Sequence, residues 1–535
     1  MTPTTTTLTY IDLLDRAVKL AGGRPALIDD TVTLTHRELA SLTNRLAHAL
    51  IAKGFAPSSP YAVLSPNTSM ALAALLGGLR AGGAWSNLNL RNAPAMNIDI
   101  LNRCGCRALF FHSSTAHLLP DIRKGVSSLN LAICLDKEVE GYPSLRQFIE
   151  GAPDTTVNVR LPREATGFQG STGGTTGAPK ITQAGQDFLA LNTLGFMTSF
   201  NAFSVEEPPV NLAVAPITHA GGIVAMATLC MCGSVVMMPA ADLGLLLENV
   251  QKHKVSLLFL PPTVIYMLMN HPKVKETDFS SLRYLMSAAA PFATEKIAQA
   301  HKTFGPVICQ SFGQTESGFP LTFMSPAAVT AALKDPALAP RLKSVGQPTV
   351  NLSEIEVMNE QGALLGPGEV GEIVLRGPTT MFRYLNDPDA TAAIKTHGWQ
   401  HTGDLGYRDK DGFIYISDRK RDMIITGGFN VFPLEVEQVL LRHAAVQDCA
   451  VIGVPDEKMG RGGQGRGRTG AGQGSRGGRA DRALQGEARQ HDGAEERRLH
   501  RRLAAECRGQ GAEAGAARPL LAGEEGSDLT CRVCS

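Results

Sequence analysis

Apolar positions along most of this chain follow two alternating rhythms. Residues 34–54, LTHRELASLTNRLAHALIAKG, carry leucines at helical spacing and predict an amphipathic helix that stops at Gly54. YAVLS (61–65) then reads as a buried strand, and NTSMALAALLGGLRAGG (67–83) as a second helix. The same rhythm returns in VSLLFLPPTVIYMLMNH (255–271), a strand, a proline stop and a helix. LRYLMSAAAP (282–291) is a strand running into small residues. Continuous apolar strands alternating with helices predict parallel α/β sheets covered on both faces. From about residue 345 the rhythm shortens. EIEVM (354–358), GEIVLRG (371–377) and GFIYIS (412–417), separated by Gly/Asp turns, predict short hairpin strands of a β-rich subdomain.

Residues 210–241 contain no Asp, Glu, Lys or Arg, a length that can cross a bilayer. Cys230, Cys232, Gly233 and Ser234 interrupt the run, and its end turns β-like. The expected structure is a buried helix feeding a buried strand, with no transmembrane segment. The N-terminus lacks a basic start followed by an apolar run, so no signal peptide is expected. Ten scattered cysteines in 535 residues fit a reducing cytoplasm. Net charge is +1, which gives no case for nucleic acid as a partner. The length exceeds one core and calls for two to four domains or subdomains.

After Met459 the composition changes abruptly. Residues 461–535 carry 14 Arg and 16 Gly and no Lys, Ile, Phe, Tyr, Trp, Met or Asn. Such a segment cannot build a core and is expected to be disordered. An RNA-binding Gly/Arg tail is one reading; a second follows below.

The candidate chemistry begins in FQGSTGGTTGAPKITQ (168–183). Glycines allow close backbone approach, hydroxyls and N–H groups can donate to phosphate oxygens, and Lys180 adds a positive charge. Because Lys180 does not directly follow a glycine, the pattern is not the usual P-loop. A plain linker is the alternative. SFGQTES (311–317) places an aromatic ring, a glycine, a hydroxyl and a carboxylate in a row. There Thr315 can touch a phosphate and Glu316 can hold Mg²⁺. HTGDLGY (401–407) offers Asp404 to the two hydroxyls of a ribose. Taken singly, Glu316 and Asp404 read more readily as turn or surface carboxylates.

Together and in this order, STGGTTGAPK, PITHAGG, SAAAP, SFGQTE, GEIVLRG, HTGDLG and DRKRDMIITGGFNVFPLEVE resemble the adenylate-forming superfamily, acyl-CoA synthetases in particular. The resemblance covers roughly residues 10–459. It implies a large N-terminal domain (two parallel α/β sheets plus a β-rich subdomain) at 1–417 and a hinge at 418–421. It also implies a small α+β C-terminal domain, begun at 422–459 and incomplete here.

The implied reaction has two steps. A carboxylate, fatty or aromatic, attacks the α-phosphate of Mg·ATP to give an acyl-adenylate. A thiol, most often that of coenzyme A, then displaces AMP; a carrier-protein thiol is the alternative acceptor, and a non-catalytic ATP-binding remnant the alternative from another class. Carried over, Ser171, Thr172, Gly173, Gly174, Thr175, Thr176, Gly177 and Lys180 form the loop that grips the β- and γ-phosphates. Phe312, followed by Gly313, stacks on adenine, and the backbone around Ala288, Ala289 and Ala290 reads its edge. Thr315 contacts the α-phosphate and Glu316 holds Mg²⁺. Asp404 and Arg419 bind ribose, and His219 sits at the acyl pocket. Arg421 stands at the hinge, while Gly427 and Gly428 line the pantetheine tunnel. A homodimer is compatible with the sequence and not specified by it.

Two departures are small: Gly173 where many relatives have Ser, and Arg421 where Asp or Lys is commoner. The third is large. The family's C-terminal domain carries a late lysine in a P-x-x-x-x-G-K segment, and here no lysine follows Lys458. The genetic code offers an explanation. Codons chosen for residues 460–470, read with one base dropped, give G-E-A-V-K-A-V-V-E-L, an ordinary family continuation. The same shift over residues 502–524 can give G-L-P-R-N-A-A-G-K-V-L-K-R-E-L-R-D-P-Y-W-R-G-K, which contains the missing segment. Residues from 460 or 461 onward are therefore expected to be the product of a one-base frameshift, by mutation or sequence error.

Overall fold

The protein is described by a computed structural model. It covers residues 7–172, 179–350, 353–420, 424–426, 429–433, 436–437, 446–456, 460–469 and 533–534. The chain divides into two compact units. The first comprises residues 1–369, 373–402 and 408–415; the second comprises 370–372, 403–407 and 416–535.

The sequence rhythm becomes two large sheets in the first unit. One has nine strands in the order Gln347–Pro348, Gly318–Met324, Ile308–Gln314, Tyr284–Ser287, Leu257–Phe259, Val210–Ala213, Ser234–Met237, Pro25–Ile28, Thr33–Thr35. The other has seven, in the order Arg383–Tyr384, Ile181–Gly185, Thr166–Ser171, Ala84–Ser86, Pro60–Leu64, Ala108–Phe111, Leu131–Cys134. Their central strands pair in parallel, as the continuous apolar runs predict. The edges differ from the expectation. Thr166–Ser171 pairs antiparallel with Ile181–Gly185, and Ile308–Gln314 with Gly318–Met324. Both turns are too short for the helical crossover that a parallel neighbour requires. Both carry candidate site residues.

Helix His36–Ala52 begins with a capping box, in which Thr35 and Glu38 satisfy each other's backbone N–H groups. It packs on helix Ser69–Arg80, which is buried on all sides. Close packing there depends on missing side chains: a Cβ on Gly77 would lie 2.6 Å from Leu46 Cδ2, and one on Gly78 2.3 Å from Tyr61 Cε2. The helix ends in Arg80, fully buried yet compensated by Asp15 at 2.7 Å and by the Val157 carbonyl at 3.0 Å. The uncharged stretch 210–241 supplies strand Val210–Ala213, the buried helix Ala220–Cys230 and strand Ser234–Met237. Among the described residues no helix is long and apolar enough to cross a membrane.

Glu354–Met358, Gly371–Arg376, Trp399–Arg408 and Lys395–Thr396 follow one another in a further sheet, and Ile414–Arg419 pairs with Trp399–Arg408. In the second unit, Val446–Asp456 pairs antiparallel with Gly460–Thr469, from Val446↔Thr469 to Asp456↔Gly460. Residues 460–469, where the Gly/Arg-rich composition begins, take part in that ladder. A β-ladder is made by backbone N–H and C=O groups, which Gly- and Arg-rich sequence still possesses.

Candidate active site

The glycine-rich loop leaves the end of strand Thr166–Ser171 and returns into Ile181–Gly185. Its base is closed by Thr172 N–H donating to the Lys180 carbonyl at 2.9 Å. Asn87 Oδ1 accepts from the backbone N–H of Ser171 at 2.6 Å and from its hydroxyl at 3.0 Å, anchoring the outgoing strand. Gly173, Gly174, Thr175, Thr176 and Gly177 lie outside the described residues. Lys180 is exposed, and its ammonium stands over the Tyr384 ring, 4.9 Å from the centroid.

The second hairpin brings Thr315 and Glu316 to the same place. Thr315 packs its methyl group on the backbone of Gly170, where a Cβ would lie 2.3 Å from Thr315 Cγ2. Glu316 Oε1 accepts a hydrogen bond from the Tyr384 hydroxyl at 2.9 Å. Its backbone carbonyl accepts from Met381 N–H and Gln400 Nε2, both at 2.8 Å. Gln400 Nε2 also donates to Ser317 Oγ at 2.7 Å. Burial first, and then the Glu316 charge, push the Tyr384 phenol far above its ordinary range, so it remains protonated and donating. Neither Tyr384 nor Gln400 was singled out from the sequence; RYLNDPDA and GWQHTG contain no signal of which side chains turn toward Glu316.

Phe312 is 9% exposed and leaves only a limited ring surface for a ligand. Its backbone N–H donates to Thr322 Oγ1 at 3.3 Å. Gly313 packs closely, since a Cβ there would meet the Gly318 carbonyl at 2.6 Å. Beyond strand Tyr284–Ser287, Ala288 is buried while Ala289 and Ala290 are exposed. Ala289 has φ 71°, a left-handed backbone that costs a residue with a Cβ about 1–3 kcal/mol. Nothing in SAAAP announces that strain, which marks this turn as held by its surroundings.

His219 precedes helix Ala220–Cys230, with Nδ1 3.1 Å from Thr218 Oγ1. Burial holds its pKa below the ordinary 6.5, so the ring is neutral at pH 7. The segment leading to it is held by Asn67, another residue missed in the sequence. Asn67 Nδ2 donates to the carbonyls of Ala213 at 2.9 Å and Ala215 at 3.0 Å, and Oδ1 accepts from Ile217 N–H at 3.0 Å.

In the second unit, Asp404 is buried and 3.7 Å from the half-exposed Arg419 guanidinium. Lys420 N–H donates to the Gly403 carbonyl at 2.8 Å, and Glu372 receives both Gly403 N–H at 3.0 Å and Lys420 Nζ at 3.2 Å. Arg421, Gly427 and Gly428 lie outside the described residues.

The described residues hold no group of three His, Cys, Asp or Glu side chains able to bind a metal by themselves. Glu316, half-exposed and with one oxygen engaged by Tyr384, fits a different arrangement, in which Mg²⁺ is shared between a single carboxylate and substrate phosphates.

The sequence pattern of the AMP-binding enzyme family matches residues 8–385, and that of its C-terminal domain matches residues 435–463. The chain belongs to the AMP-binding enzyme family. A medium/long-chain fatty-acid–CoA ligase of Mycobacterium tuberculosis is 31% identical over 84% of this chain and 78% of its own length. A feruloyl-CoA synthase of an Amycolatopsis species is 31% identical over 83% and 85%. The amide bond synthetase of Marinactinospora thermotolerans superposes with a TM-score of 0.76 at 27% identity, covering 87% of this chain and 90% of its own. By family this AMP-binding enzyme is an AMP-forming acid–CoA ligase. Its chemistry is ATP-dependent activation of a carboxylic acid to an acyl-adenylate, then thioester formation with coenzyme A. The mixed α/β fold expected from the resemblance is the fold observed.

Proposed function

We propose that the turn Thr315–Glu316 and the loop closed by Thr172 and Lys180 form the phosphate site of this ligase. The observation that carries the assignment is the clustering of Lys180, Tyr384, Glu316 and Thr315 at the base of one glycine-rich loop. In this reading Ser171, Thr172, Gly173, Gly174, Thr175, Thr176, Gly177 and Lys180 surround the β- and γ-phosphates. Thr315 donates to the α-phosphate. Glu316 would hold Mg²⁺, which supplies neutralisation of charge on the phosphate oxygens. Phe312 and Gly313 contact adenine together with the backbone at Ala288, Ala289 and Ala290. Asp404 accepts from the ribose hydroxyls, with Arg419 beside it. Neutral His219 lies at the acyl carboxylate, where an imidazolium would instead hold the nucleophile in an ion pair. Arg421, within the hinge 418–421, lets the domain begun at 422–459 turn, and Gly427 and Gly428 then line the route of the CoA arm. Rate enhancement here comes from fixed charges and positioning. The acid is fatty or aromatic, and coenzyme A is preferred to a carrier-protein thiol as acceptor. A reducing cytoplasm suits Cys104, Cys106, Cys134, Cys230, Cys232 and Cys309, all buried and in no disulfide.

A second reading concerns the chain as written. No lysine follows Lys458, and the match to the family's C-terminal domain stops at residue 463. Both favour a reading frame that departs at residue 460 or 461. Loss of one preorganised donor costs about 10²–10³ in rate, and loss of the domain that presents it costs more. The chain as written is then an ATP-binding, catalytically impaired relative of its in-frame form. Calorimetric titration with Mg·ATP tests the phosphate site: binding by the written chain, weakened at least tenfold in Lys180→Ala, is expected. Undiminished binding by that variant contradicts the site. A DNA read across the codons for residues 455–464 tests the frame.

A further inference from the structure

The Tyr384 side chain is shared by two groups of opposite charge. Its ring face carries the Lys180 ammonium at 4.9 Å, and its hydroxyl donates to Glu316 Oε1 at 2.9 Å. Tyr384 is itself fixed. Its strand pairs with Ile181–Gly185 through Tyr384↔Thr182, and its backbone N–H donates to Thr391 Oγ1 at 2.9 Å. It is also buried, so neither contact is diluted by a mobile exposed ring. Lys180 and Glu316 thus meet across one phenol. A direct lysine–carboxylate pair would engage both charges. Each would then be less available to the phosphates and to a cation between them.

We propose that Tyr384 is a positioning residue of the phosphate site, holding Glu316 for the divalent cation through its hydroxyl and Lys180 for the nucleotide through its ring. The inference deepens the nucleotide reading above and rests on it. The two halves of the side chain have separable consequences. Removing the hydroxyl affects the cation, and removing the ring also affects the anion. A hydrogen bond to a carboxylate both orients it and leaves its second oxygen free. Cation–π contact places the ammonium without neutralising it.

The test uses the full 535-residue chain, with ATP titrated in EDTA and again across a Mg²⁺ series. In Tyr384→Phe, the Mg²⁺ concentration for half-maximal tightening of ATP is expected to rise about tenfold. Its metal-free ATP affinity should stay within twofold of the parent. Tyr384→Leu should weaken metal-free ATP binding as well. Glu316→Gln should raise the Mg²⁺ requirement by itself, and adding Tyr384→Phe to it should raise it no further, because the hydroxyl acts only through that carboxylate. A merely structural tyrosine would instead shift metal-free and metal-bound affinities together. Unchanged Mg²⁺ dependence in Tyr384→Phe, with a parent that binds Mg·ATP, overturns the proposal and leaves the nucleotide reading standing. A parent chain that binds no ATP in either condition overturns both.

Discussion

Gly170 has no room for a side chain, and that fact ties the two hairpins of the proposed phosphate site together. A Cβ would meet Thr315 Cγ2 at 2.3 Å, Phe168 Cε1 at 2.8 Å and Thr182 Oγ1 at 2.9 Å. Gly170→Ala therefore forces Thr315 away at a cost of about 1–3 kcal/mol. The expected outcome is a lower urea midpoint and at least tenfold weaker ATP binding. Unchanged ATP affinity would place Thr315 outside the phosphate site. Two histidines set a pH dependence. His36 is buried with Nε2 3.1 Å from the Gly233 carbonyl and, among the described residues, no partner for Nδ1, and burial holds it below 6.5. His219 is lowered by the same cause. With both folded pKa values depressed, the unfolded chain binds more protons once the pH falls below 6.5. Stability must then fall with decreasing pH, until the folded values are passed. Urea midpoints measured from pH 7.5 to about 5.5 should decline, and His36→Gln should flatten the decline. An equally steep decline in that variant would exclude His36 as a source. At this scale the sequence was informative about residue types and silent about orientation. Lys180, Thr315 and Glu316 stand in recognisable motifs, whereas Tyr384 and Asn67 matter through hydrogen bonds that only the folded arrangement creates.

Elements were legible where periodicity dominates. The helix expected in 34–54 is His36–Ala52, the strand at 61–65 is Pro60–Leu64, and the helix at 67–83 is Ser69–Arg80. The same holds for Leu257–Phe259, helix Pro262–Met269 and Tyr284–Ser287. Strand Trp399–Arg408 was not legible. Its sequence, WQHTGDLGYR, is polar and contains two glycines, one of them, Gly403, at φ 75°. Ladder hydrogen bonds decided that strand, and its own pattern did not. Antiparallel edges were missed for a related reason, since a strand's apolar run reports burial and says nothing of its neighbour's direction. Asn67 acts between elements. It sits after strand Pro60–Leu64 of one sheet and caps three backbone groups in 213–217, which follow a strand of the other. Asn67→Ala leaves those buried groups unpaired, at about 1–3 kcal/mol. A lowered urea midpoint and weakened acid saturation in the in-frame enzyme are expected, with ATP affinity preserved. Equal losses for acid and ATP would show a general defect instead of a local one.

At the scale of the molecule, the large sheets are those of the AMP-binding fold, while the match to the family's C-terminal domain stops at residue 463. Residues 460–469 form a strand against Val446–Asp456, so a β-ladder persists past the point where composition changes. A ladder restores backbone pairing but cannot restore a lysine that the sequence lacks. An intact nucleotide-binding unit followed by an out-of-frame C-terminus is the reading proposed for this chain. It is tested most directly by acid-dependent exchange of labelled pyrophosphate into ATP, with fatty and aryl acids, for the written chain and for a version with one base removed at codon 460. The expected result is exchange by the frame-restored enzyme, and at least about a hundredfold less by the written chain. Equal exchange by the two chains would contradict the claim.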